Sequence, residues 1–99
     1  MQQKDLTFST RHFGTTRVVT GEYQRGGRIA VELVDEKGES ITMLSVNMPD
    51  ESHLLGEGEF FAKTWSENVE LAEDALASGL FRDTGRRGGF VNASIWTFK

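Results

Sequence analysis

From Arg28 to Asp35 apolar and polar positions alternate, with Ile29, Val31 and Leu33 on one side and Glu32 on the other. That period of two predicts a half-buried β-strand. The preceding stretch, Arg17 to Gln24, carries Val18, Val19, Thr20 and Tyr23, residue types that fit a pleated surface, and predicts another strand. Arg25-Gly26-Gly27 separates the two as a turn. Glu36-Lys37-Gly38-Glu39 forms the next turn, with Gly38 free to take positive φ. Ser40 to Met48 reads as a third strand, so two short turns predict an antiparallel meander. Pro49 stops it because proline cannot donate to a ladder. Asp50 to Glu59 is polar, contains two glycines and reads as a loop, and Glu59 to Lys63 as a short strand or the approach to a helix.

The period changes after Lys63. Trp65, Val69, Ala72 and Leu76 recur at i, i+4, i+7 and i+11 and predict one face of a helix. Thr64-Trp65-Ser66-Glu67 has the form of a capping box, with Ser66 a competing cap. Gly79 stands where a left-handed C-cap glycine belongs, and Leu80 can fold back on the last turn. The helix is therefore expected between about Ser66 and Ser78. Arg82 to Gly89 is polar and glycine-rich and reads as a loop. Phe90 to Phe98 is the final strand.

The predicted strands are apolar on both sides: Ile41 and Met43 oppose Leu44, Val46 and Met48, and Val91, Ala93 and Ile95 oppose Phe90, Trp96 and Phe98. A single helix covers only one face of a small sheet. The expected fold is α+β, a curled antiparallel sheet of four to five strands with one α-helix packed on one face. Self-closure into a partial barrel is the expected fate of the second face. Cover by Leu6, Phe8 and Phe13, or by another molecule, is the alternative.

Length and composition narrow the picture further. Ninety-nine residues make one domain, 1–99, with roughly the first six residues expected to be disordered. No apolar run approaches the roughly 20 residues of a membrane span, and the N-terminus lacks a secretory leader, so the expectation is a cytoplasmic protein without a membrane partner. Cysteine is absent, which removes disulfides, thiolate chemistry and the common structural zinc sites. A net charge of −4 argues against nucleic acid, because phosphate binding needs clustered cations.

Candidate chemistry is sparse. Asp83-Thr84-Gly85 matches the triplet of retroviral-type aspartic proteases. The surrounding pattern does not: Arg82 and Arg86 flank the triplet, and no flap or substrate-binding strands follow, so it reads as a turn. Arg82, Arg86 and Arg87 with Gly85, Gly88 and Gly89 have the residue types of an anion-holding nest, and a small-anion or nucleotide site is the alternative function. Against this, those arginines can pair with the nearby acidic helix. That helix holds Glu67, Glu70, Glu73 and Asp74 and no Lys or Arg; Glu67, Glu70 and Asp74 share one face. Glu73 and Asp74 stand toward the end of the helix where its dipole disfavours anions. Such a stripe is a solvated face, a docking face for a basic partner, or one neutralised by Arg82–Arg87. His12 and His53 are isolated, and no serine or threonine is tied to a base by a local signature. No catalytic residue, metal ligand or cofactor is assigned.

Several segments together resemble a known family. Leu44-Ser45-Val46-Asn47-Met48-Pro49, Phe61-Ala62-Lys63-Thr64-Trp65-Ser66-Glu67-Asn68, Ser78-Gly79-Leu80-Phe81-Arg82-Asp83-Thr84-Gly85 and the closing Trp96-Thr97-Phe98 are similar to the domain of unknown function 4313 family. Those are small bacterial proteins often encoded with plasmid or conjugative-element genes. The resemblance spans about Tyr23 to the end and implies a bacterial, mobile-element setting but no activity. The expected function is a non-enzymatic interaction module that binds a protein partner or a second copy of itself. The candidate interaction residues are Glu67, Glu70, Asp74, Arg82, Asp83, Arg86 and Arg87.

Overall fold

Period-two patterning in the first half of the chain builds one sheet, and the aromatic-rich second half builds another. A computed structural model describes residues 6–99; the N-terminal disorder expectation falls mostly outside them. The first sheet contains β1 (Leu6–Thr10), β2 (Gly14–Glu22), β3 (Ile29–Val34) and β4 (Ser40–Met43), paired antiparallel in that order. After β5 (Ser45–Val46) and β6 (Glu59–Ala62) comes the helix α1 (Val69–Ala77), then β7 (Phe81–Gly88) and β8 (Ala93–Phe98). These strands form a second antiparallel sheet in the order β5-β6-β8-β7. The fold is α+β, as the change of period predicts, and neither four-stranded sheet closes on itself.

The strand expected from Ser40 to Met48 divides at Leu44, which has no exposed surface. Leu44 donates its N–H to the Val31 carbonyl and accepts from the Lys63 N–H, at 2.8 and 2.7 Å. Ser45 Oγ accepts the Val31 N–H at 2.9 Å and lies 2.6 Å from the Tyr23 hydroxyl. These bonds satisfy the main chain where it leaves one sheet for the other, as buried backbone requires.

The main core lies between the sheets. Phe8, Val18, Val31 and Leu33 from the first sheet meet Phe60, Ala62, Phe81 and Trp96 from the second, with Leu71, Ala72 and Ala75 of α1 filling one side. Phe60, Phe81, Trp96 and Phe98 pack edge-on or tilted, with ring centroids 5.0–6.3 Å apart, a spacing and geometry that aromatic quadrupoles favour. The opposite face of the second sheet buries Phe61, Ala93 and Ile95 against Leu55, Val46, Met48 and Trp65. Self-closure into a partial barrel is therefore not what forms. The chain's own segment around the 3₁₀ turn Pro49–Leu54 covers that face, because Met48 and Leu55 at its two ends turn inward. The N-terminal residues serve elsewhere: Phe8 joins the main core and Phe13 remains 44% exposed.

Helix limits agree with the sequence reading, but the entry does not use the capping box. A 3₁₀ turn, Ser66–Asn68, leads into α1 with no side-chain cap, and Glu67 pairs with Lys63 instead. Tertiary hydrogen bonds from Asn68 replace the local ones. At the other end Gly79 takes φ +81°, the left-handed value the C-cap reading requires. Arg82–Gly89, read as a loop, is most of β7. Its ladder with β8 outweighs the weak strand preference of glycine. The polar residues are accommodated by a bulge between Asp83 and Arg87, where Gly85 adopts φ +83°.

Candidate interaction groove

The acidic stripe of α1 is held by the β1–β2 turn rather than by β7. Arg11 donates from its main-chain N–H to Asp74 Oδ2 at 2.9 Å and from Nε to Asp74 Oδ1 at 3.0 Å. Its Nη1 and Nη2 reach Glu70 and Glu73 at 3.0 and 2.6 Å, and His12 Nε2 lies 3.0 Å from Glu70 Oε1. The Arg11 main-chain N–H, aided by its guanidinium, holds the Asp74 carboxyl below its ordinary range. Neutralisation of the stripe by Arg82–Arg87 is thus corrected. The turn between β1 and β2 lies along α1 from Glu70 to Asp74, and its cation offsets Glu73 and Asp74, the anions nearer the end that the helix dipole disfavours. No sequence spacing links Arg11 to residues some sixty positions away.

The three arginines of β7 do not converge. Arg86 pairs with Glu59 and donates to the Leu54 carbonyl, and this lowers the Glu59 carboxyl pKa. Arg82 adds a weaker attraction to the same carboxylate. Arg87 instead donates to Ser94 Oγ at 3.0 Å and to the Asn92 carbonyl at 3.2 Å. Asp83-Thr84-Gly85 is the bulge itself: Asp83 Oδ1 accepts the Gly85 N–H at 2.9 Å, and the Thr84 hydroxyl donates to the Ile95 carbonyl at 2.7 Å. The first bond is local turn chemistry of the kind Asp supplies, and the second ties the bulge to β8.

The feature that sequence reasoning missed is a groove of about 240 Å³ between α1 and the β7–β8 hairpin. The predicted helix face, Val69, Ala72 and Leu76, forms one wall. Only Ala72 is buried, while Val69 and Leu76 remain 47% and 36% exposed. The residues that face the core are Leu71, Ala72 and Ala75, one step around the helix. Trp96 and Ser94 of β8 form the floor, with Asp83 of β7 opposite the helix. Trp96 is wholly buried, yet its Nε1–H has no acceptor among the described residues. A buried donor without a partner costs about 1–3 kcal/mol. The available signal was the width of the helix's apolar arc. Val69, Leu71, Ala72, Ala75 and Leu76 span more of a nine-residue helix than one core contact uses.

No helix among the described residues is long and apolar enough to cross a membrane. No family model, no curated protein and no solved structure matches the chain.

Proposed function

We propose that this chain is a non-enzymatic protein-interaction module and that the groove between α1 and the β7–β8 hairpin is its binding surface. The observation that carries the reading is the exposure of Val69 and Leu76 along the wall of a concave site floored by the buried Trp96. Apolar side chains left at the lip of a groove gain by being covered, at roughly 25 cal/mol per Å² of apolar surface removed from water. The bacterial, mobile-element and cytoplasmic setting implied by the resemblance in four segments belongs to the same proposal, and genome context tests it.

A photo-crosslinking residue at position 76, and a control at exposed Lys37, tests the surface in the native host. The expected result is a discrete protein adduct from position 76 that is absent from position 37 and lost when Val69→Asp is added. Adducts from position 37 alone, or none from either, would refute it.

A further inference from the structure

We infer that the groove accepts an anchor from a polypeptide partner, consisting of one apolar side chain with a lysine or arginine beside it. This rests on the interaction reading above and specifies its partner. Size points to a side chain rather than a whole ligand: about 240 Å³ falls below the roughly 300–1,000 Å³ of typical small-molecule sites, and suits a single inserted side chain. The walls select an apolar group, since Val69 and Leu76 flank the opening and Ala72 and Trp96 lie beneath it.

Charge selects what stands next to that group. Two carboxylates, Glu73 and Asp83, line the groove from opposite sides. Glu73 is already engaged by Arg11. Asp83 forms no ion pair among the described residues, and its hydrogen bond is to the Gly85 N–H. A cation beside the anchor would meet Asp83, and the chain's net charge of −4 favours its approach. Arg87, tied to Ser94 Oγ, stands at the hairpin-tip end and disfavours a second cation there, which gives the occupant a direction.

The chain offers one competing occupant of its own. Phe90 at the hairpin tip is 92% exposed, three residues from Arg87, and a second copy could insert it. The test separates the two. A random dodecapeptide library is selected on the full chain, and enriched peptides are titrated while amide and indole N–H resonances are followed. Sedimentation is run on the wild type and on Phe90→Asp. The expected outcome is a monomer that enriches peptides with Leu, Met or Phe within two positions of Lys or Arg. Those peptides shift Val69, Leu76, Asp83 and the Trp96 indole N–H. Affinity falls about tenfold for Asp83→Asn and further for Asp83→Lys, as loss of one charge-assisted contact implies. Circular dichroism on each variant confirms that it folds. Acidic or uncharged motifs, or indifference to Asp83, would overturn the anchor chemistry while leaving the interaction reading intact. A dimer abolished by Phe90→Asp would overturn the separate partner and assign the groove to a second copy, leaving the interaction reading intact. Peptides that map elsewhere, or no enrichment, would overturn both.

Discussion

Asn68 has no exposed surface and spends its amide on three partners. Its Nδ2 donates to the Met43 and Lys63 carbonyls at 2.9 and 3.0 Å, and its Oδ1 accepts from the Thr42 hydroxyl at 2.9 Å. Each such bond contributes about 1 kcal/mol net, and an acceptor orphaned in the interior costs more. Asn68→Ala is therefore expected to destabilise by about 3 kcal/mol, read as a lower urea midpoint at unchanged slope. An unchanged midpoint would mean that the helix entry is fixed by something else. Gly89 shows a different constraint. At φ +78° its backbone takes the left-handed conformation that strains any side chain, while a Cβ would meet only the flexible end of Met48, 2.6 Å away, which can yield. The glycines of this segment serve packing, because Gly88 and Gly89 let the hairpin close over Leu54, Met48 and Phe61.

At the scale of the element, α1 presents two apolar stripes with different fates. Leu71, 6% exposed and in the main core, should cost about 2–4 kcal/mol when truncated to alanine. Val69→Ser and Leu76→Ser, at exposed positions along the groove wall, should each cost less than about 1 kcal/mol. Parallel thermal melts of the three variants check this; equal losses would place Val69 and Leu76 in the core and remove the groove. Periodicity located the helix and both of its ends. It could not say which part of a wide apolar arc would meet the sheets, because that depends on how the helix is rotated against partners distant in sequence. The β7 segment shows the converse limit. Three arginines and two glycines carry little strand preference, and only the ladder with β8 makes the segment extended.

Across the molecule, ion pairs join elements that are far apart in sequence, and they set its response to acid. Among the described residues three carboxyls have lowered pKa values: Glu59 through Arg86, Glu67 through Lys63, and Asp74 through Arg11. Each holds its proton less tightly in the folded chain than in the unfolded one. Their contribution is complete above the ordinary values of 4.5 for Glu and 3.8 for Asp and is lost as pH falls below them. Urea unfolding between pH 7 and pH 2.5 should therefore show a plateau down to about pH 5 and a fall beneath it. Arg11→Gln should flatten that fall only in part, because it removes the guanidinium's share of the Asp74 shift and keeps the main-chain N–H that is the larger cause. High salt should also flatten it, since one partner of each pair stays about half exposed and open to screening. A profile indifferent to both would remove the Arg11 contacts from the account.

Residue order alone determined the α+β class, the antiparallel meander, the helix with its C-terminal glycine and the absence of cysteine chemistry. Each follows from period, turn residues or composition, which act over a few neighbours. Tertiary structure alone decided where the Ser40–Met48 strand splits, which segment covers the second sheet's outer face, that Arg11 rather than Arg82–Arg87 neutralises the helix, and that Val69 and Leu76 line a groove. All four depend on contacts between residues remote along the chain. Alternation and spacing carry no record of such contacts, because burial and pairing are properties of the packed whole.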